Sequence, residues 1–350
     1  MVGSKAKTGP AKTGLVNIAD VARAAGVSVS TVSRSLNGSA QISEKTRRHV
    51  EQVAQSIGYV PNSNAKALTT ASNTVILVVR YISGGPYMNL IAGVEEEASG
   101  RGLSFRLITP GERDMRFNGI IRQLQEQRPR VAIILSSGAD ERLWDEQMSS
   151  QISKLREFGT ELIIAGRARE PMWGDAGVVD YDNKGGMRAL VERLIEQGHR
   201  RFVYCGKRLD SRVFRDRYQG FLDALSAAGM ERDHDAALDV DRAPGDAAGL
   251  ESLVRRWRDD LGRFAVVAST DDDASAVMLA LYRCGIAMPG EASVSGFDDM
   301  QYADRLLRPL TTVHVPFNEM GHAAVRMGLG EMKRDVCFPV EPVIRESTAV

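Results

Sequence analysis

At 350 residues, 43% hydrophobic and 26% charged, the chain has the composition of a soluble globular protein of two or three domains, which excludes a disordered or fibrous one. Its 45 Lys/Arg balance 45 Asp/Glu, yet residues 1–70 hold nine Lys/Arg against three Asp/Glu, so a basic head precedes an acidic body and favours a polyanion partner. Three scattered cysteines, Cys205, Cys284 and Cys337, argue against a disulfide framework and a CxxC metal site, and point to a reducing compartment.

No apolar run follows the first lysines, and the longest aliphatic stretch, Val75–Val79, is too short for a bilayer. The expectation is a cytoplasmic protein with no membrane contact. Residues 1–14 read as a disordered tail. The head then begins, over residues 15–61. Asn17 is placed to cap a helix whose Ile18, Val21, Ala22 and Ala25 share one face, and Gly26 is placed to stop it. Ser28 is placed to cap a second helix with Val32 and Leu36 inward, which leaves Val29, Ser30, Ser33 and Arg34 outward. Small side chains let such a helix sit deep in a major groove, where Arg34 reaches guanine or phosphate. The helix N-terminus and the hydroxyls of Ser28, Thr31 and Ser33 suit phosphate.

Ser43 is placed to cap a third helix with Val50, Val53, Ala54 and Ile57 as its buried stripe and Gly58 as its stop. A plain three-helix bundle would need no basic, small-residue face on its second helix. Pro61 ends this unit. Asn62 can cap one more short helix, Ser63 to about Thr69, within a hinge and linker of residues 62–73. Helices shorter than about 12–15 residues are marginal alone in water, so this one would form conditionally.

The segment resembles the headpiece and hinge of the lactose/galactose repressor (LacI/GalR) family. The residues that carry the likeness are Asp20-Val21-Ala22, Ala25-Gly26-Val27-Ser28, Thr31-Val32-Ser33-Arg34, Leu36-Asn37, Gly58-Tyr59, Pro61-Asn62, Ala65 and Leu68. The resemblance implies that Val29, Ser30 and Arg34 read bases, and that Leu68 from each of two hinge helices wedges into a minor-groove step. The expected DNA-binding set is Asn17, Ser28, Val29, Ser30, Thr31, Ser33, Arg34, Asn37, Asn62, Ala65, Lys66 and Leu68. Lys66 departs from the arginine of many members; it keeps the charge and loses the planar fork.

From residue 74 to 350, short aliphatic runs alternate with amphipathic segments. Strands are expected at Val75–Val79, Phe105–Ile108, Val131–Leu135, Leu162–Ala165, Phe202–Cys205, Ala237–Val240, Val266–Ala268 and Ser293–Ser295. Helices between them include Leu90–Ser99, Gly186–Gln197, Tyr218–Ala228, Leu250–Asp260 and Ala274–Cys284, with Gly100, Gly198, Gly229 and Gly285 as stops. Such alternation predicts an α/β body of parallel sheets in two lobes. Ligands then bind outside the carboxyl ends of the strands, in the cleft.

The family likeness continues through Asp182-Asn183-Lys184-Gly185, Leu194 to Arg200, Arg217 to Phe221, Pro289 to Asp299, and Pro309 to Val313 with Glu319-Met320-Gly321. It implies a periplasmic-binding-protein-like core that binds an effector and dimerises. The expected N-lobe is about 74–178 with 314–338, and the C-lobe about 180–312 with 339–350. Arg217 matches the arginine that members aim at the effector, and Asp271 the aspartate of an Asn-Asp pair whose asparagine is here Thr270. The expected effector set is Tyr81, Ser136, Ser137, Asp182, Arg217, Asp271 and Asp298.

Asp271-Asp272-Asp273 could be imagined as a metal site, but acidic residues at a helix N-terminus explain it without one. Glu95-Glu96-Glu97 reads as a solvated helix face, and the five histidines show no metal-ligand spacing. No GxSxG, Walker loop or GxGxxG gives catalysis a seat, and no cofactor is implied. The expectation is a sequence-specific transcription regulator, a repressor. It would bind a palindromic double-stranded operator as a homodimer, with a tetramer left open, under a sugar-like small-molecule effector. The alternative is a two-lobe binding protein or enzyme whose basic head serves another role.

Overall fold

A computed structural model describes residues 17–36, 41–57, 59, 72–79, 85–109, 117–135, 148–209, 211–230 and 247–348. The chain divides into two units, Met1–Thr69 and Thr70–Val350. In the first, α1 (Ile18–Ala25), α2 (Val29–Leu36) and α3 (Glu44–Ser56) enclose a small core of Val21, Ala22, Ala25, Val32, Val50 and Ala54. Local chemistry sets the ends. Asn17 and Asp20 form a reciprocal capping box around the start of α1. Gly26 leaves it at φ +65°, where a side chain would be strained. Ser43 caps α3 by accepting from the Thr46 N–H.

The second unit has two lobes. The first is a parallel sheet of β1 (Ser72–Val78), β2 (Ser104–Ile108), β3 (Pro129–Leu135), β4 (Glu161–Ala165), β5 (Gly177–Tyr181) and β10 (Asp335–Phe338), ordered β10-β5-β4-β3-β1-β2. On its faces lie α4 (Gly85–Gly100), α5 (Phe117–Gln127), α6 (Met148–Glu157) and α11 (Phe317–Gly328). The second lobe is built on parallel β6 (Phe202–Cys205), β7 (Phe264–Ala268) and β8 (Ala292–Ser295). Its helices are α7 (Asn183–Glu196), α8 (Arg212–Ala227), α9 (Ala247–Leu261) and α10 (Asp271–Arg283).

The chain crosses between lobes at Asp182, after β5, and again through an antiparallel pair, β9 (Thr312–His314) with β11 (Glu341–Val343). β5 stays in the first sheet as far as Tyr181, a little beyond the boundary read from the sequence. The aliphatic strands stand where their runs put them. β5, β9, β10 and β11 are short or interrupted by polar residues, so they leave no run to read. The expected strand Ala237–Val240 and the hinge residues 62–71 lie outside the described residues.

Two helix pairs touch closely enough to need glycine. A Cβ on Gly93 of α4 would stand 2.0 Å from the Asn318 carbonyl oxygen, and one on Gly321 of α11 would stand 2.5 Å from that of Leu90. In the second lobe a Cβ on Gly220 of α8 would meet the Lys184 carbonyl oxygen of α7 at 2.2 Å. Beside the first crossing lies a correction. Glu95 and Glu96 are solvated as expected, but Glu97 is buried. It accepts from Arg326 (2.8 and 2.9 Å), Arg101 (2.7 Å) and His322 (2.8 Å). Those hydrogen bonds, Arg326 foremost, pull its carboxyl down to about 2 against the cost of burial.

Candidate nucleic-acid interface and effector cleft

In the head, α2 turns Val32 and Ser35 into the core and leaves Val29, Ser30 and Arg34 exposed, with Thr31 and Ser33 half-buried. Ser28 caps it: its Oγ accepts from the Thr31 N–H at 3.1 Å and lies 2.8 Å from both the Ser30 and Thr31 hydroxyls. Among the described residues Arg34 meets no carboxylate, unlike Arg23, Arg47 and Arg48, which pair with Asp20 or Glu44. One short helix thus offers apolar, hydroxyl and guanidinium groups on a single face. Asn17 is spent on its capping role, accepting from the Ala19 and Asp20 N–H groups. Asn37, Asn62, Ala65, Lys66 and Leu68 lie outside the described residues.

In the body, Arg217 on α8 is the hub. Its side chain is 2% exposed. Nε donates to Asn183 Oδ1 (2.9 Å), Nη1 to the Ser269 carbonyl, and Nη2 to the Tyr181 hydroxyl (3.0 Å) and Asp298 Oδ1 (2.7 Å). Its Cζ stands 3.9 Å from the centre of the Phe297 ring. Tyr181 ends β5 of the first lobe and packs edge-on against Phe317 of α11, so the hub ties both lobes together. Burial opposes the guanidinium charge, but Asp298 and Tyr181 hold its pKa above the usual arginine value. Burial pushes the Asp298 carboxyl up to about 6 in spite of Arg217, and the Tyr181 hydroxyl up to about 12. Asp298 also sits at φ +115°, a strained backbone for a non-glycine residue, of a kind that clusters at ligand clamps.

Around this hub the second lobe's strand ends form a wall. Asp273 pairs with Arg208 (3.0 Å) and accepts from the Ser269 and Thr270 hydroxyls. Tyr302 donates to Asp272, and Thr270 caps α10 by accepting from the Asp273 N–H. Across the gap, Gln301 Nε2 donates to Asn89 Oδ1 of α4 at 3.1 Å. The three consecutive aspartates therefore diverge. Among the described residues no group of three or more His, Cys, Asp or Glu could hold a metal ion.

The expected effector residues fare unequally. Arg217 and Asp298 come together. Asp182 is exposed and caps α7 by accepting from the Gly185 N–H at 2.7 Å, while the next residue, Asn183, carries the link to Arg217. Asp271 departs most from its expected place. It is fully buried, and its carboxylate accepts from the Met300 N–H (2.7 Å) and the Thr312 hydroxyl (2.5 Å), which binds the loop after β8 to β9. Burial, with Asp298 adding to it, pushes that carboxyl up to about 8. Tyr81, Ser136 and Ser137 lie outside the described residues. Sequence reasoning missed Tyr181, Asn183, Phe297 and Arg208. Only Asn183 had a local signal, as the first helical residue behind a capping aspartate.

Residues 17–62 match the family described as bacterial regulatory proteins, lacI family, and residues 191–348 the periplasmic binding protein-like domain. The chain is 33% identical over 332 residues to the HTH-type transcriptional regulator CelR of Thermobifida fusca, covering 93% of this chain and 94% of that one. It is 32% identical to GalR of Escherichia coli strain K12, covering 90% and 89%. Among solved structures it resembles a CelR–cellobiose complex, with a TM-score of 0.63, 29% identity, and 95% and 99% coverage. It also shares the fold of the Lac repressor dimer bound to operator and the anti-inducer ONPF, with a TM-score of 0.76, 21% identity, and 96% and 99% coverage. Among the described residues no helix is long and apolar enough to cross a membrane.

Proposed function

Because the chain belongs to the lacI family of bacterial regulatory proteins, and so is a DNA-binding transcription regulator and not an enzyme, we propose that it is a homodimeric repressor of a palindromic operator. A sugar-like effector in the cleft between the lobes sets its affinity for that operator. The observation that carries this reading is the outer face of α2, where Val29, Ser30 and Arg34 stand in solvent. Arg34 reaches guanine N7/O6 or phosphate, and the hydroxyls at the helix start contact phosphate.

One head covers half a site, so a palindrome calls for two copies. The second lobe leaves Leu279, Tyr282 and Leu307 exposed, large apolar side chains that fit burial against a second chain. In this reading Asn62, Ala65, Lys66 and Leu68 enter the minor groove beside the paired partner. Dimer against tetramer is decided by sedimentation.

For the effector, the charges around the hub are already matched, Arg217 by Asp298 and Arg208 by Asp273. A neutral, hydroxyl-rich ligand adds donors and acceptors there without burying an unpaired charge. A relative is known in complex with cellobiose, and others are named for galactose and ribose systems. Coupling of about 1–3 kcal/mol between cleft and head is enough to switch occupancy.

Gel-shift on duplexes selected from a random pool tests the DNA half: a folded protein that retards none at low salt refutes it. A melting panel of mono- and disaccharides, run with and without operator, tests the other half. A sugar that raises the melting temperature and changes operator affinity supports it, and no response across the panel counts against it.

A further inference from the structure

Val29 is the one exposed large apolar side chain among the described residues of the head, with 46% of its surface in water. It is the first residue of α2, on the side away from Val32 and the core, so the fold gives it nothing to pack against. A polar residue would serve the free protein as well. Its neighbour Ser30 would be the natural polar reader, yet its hydroxyl is turned back to Ser28 Oγ at 2.8 Å. The leading edge of the helix therefore meets a ligand first with a branched aliphatic group. In the major groove thymine alone among the four bases presents a methyl group, at C5, and apolar side chains recognise it.

We propose that Val29 is a specificity-determining residue that packs on a thymine C5-methyl in each operator half-site. Arg34, one and a half turns further on, supplies the polar contact. The inference rests on the reading of α2 as the element that enters the groove.

Uracil in place of thymine removes only that methyl, which makes the test direct. The full-length protein selects its duplex from a random pool, and each thymine of one half-site is then replaced by uracil in turn. Affinity should fall about fourfold at one position, the worth of one buried methyl group at ~0.8 kcal/mol. Val29→Ser should bind thymine and uracil equally at that position. Val29→Thr, which keeps a γ-methyl, should retain part of the difference. The side chain is exposed, so each variant should melt with the wild type.

A wild-type protein indifferent to every uracil, a selected half-site without thymine, or an undiminished penalty in Val29→Ser overturns the proposal and leaves DNA binding by the head intact. So does a Val29→Ser loss that is uniform over all sequences, which marks a backbone contact. Failure to select any duplex overturns both readings.

Discussion

In α2 of the head, Val29, Ser30 and Arg34 stand in solvent, and the hydroxyls of Ser28, Ser30 and Thr31 bond to one another. In the second lobe, Arg217 is sealed from water and joins groups 34 to 81 residues away along the chain. The head keeps its polar groups available for a partner that brings its own charge. The cleft holds its polar groups against each other until a ligand replaces some of those contacts. Mutations in the two regions should therefore fail differently: in the cleft through the fold, in the head through binding alone.

Arg217→Ala should give the largest effect. It strands Asp298, Asn183 and the Tyr181 hydroxyl, and breaking a buried pair from one side costs about 3–5 kcal/mol. Its melting temperature should drop sharply, with effector response lost along with it; a variant that melts like the wild type would erase the contrast. Arg217→Lys should recover little, because an ammonium cannot reproduce the planar fork. Next comes Arg34→Ala. Operator affinity should fall by about 1–3 kcal/mol, as for a lost bidentate base contact. Thermal stability should stay within about 0.5 kcal/mol, as for an exposed substitution. Urea melts alongside gel-shifts check both halves.

Asn17→Ala is a smaller perturbation of the head, at about 1 kcal/mol for a lost helix cap. It should loosen α1 without altering which operator is preferred, and a changed sequence preference would mean that Asn17 also reads DNA.

Asp271→Asn should be the mildest at neutral pH, because the fold holds this carboxyl near 8 against an ordinary 3.8. Between those values the folded chain keeps a proton that the unfolded chain has released. The stabilisation is complete below pH 3.8 and fades as pH rises to 8. The stability difference between wild type and Asp271→Asn should accordingly shrink from pH 5 to pH 8 in thermal melts. A difference that is constant over that range would refute the protonated state.

The same contrast explains how far the sequence could be read. Asn17, Gly26 and Ser43 act on atoms within three or four residues, and the head's core repeats at helical spacing, so both were visible in the order of residues alone. Arg217 was identifiable as a residue but not as a hub, since Tyr181, Asn183 and the Ser269 carbonyl reach it only after both lobes fold. The one-residue error at Asp182 has the same origin. Capping and cleft-facing aspartates look alike until the helix direction is known. Glu97 shows the reverse case: a charge run reads as solvent-facing until Arg326, more than two hundred residues later, arrives beside it. Asp271 was placed at the right strand end, yet Thr312 and Met300 claim its oxygens from the far side of β8.

The crossing of α4 and α11 at Gly93 and Gly321 bears on how the chain is made. The ribosome delivers β1 to β5 early, but the first lobe lacks the helix that packs on α4, and its edge strand, until residues 317–338 emerge. Until then the apolar faces of Leu90, Val94 and Val179 have no Met320 or Ala324 to cover them. The second lobe waits as well, because Ser347 bridges Val294 and Thr311 only at the end of synthesis. A nascent chain stalled short of Phe317 is thus a reader that has been born before its sensor, with its head complete and neither lobe closed.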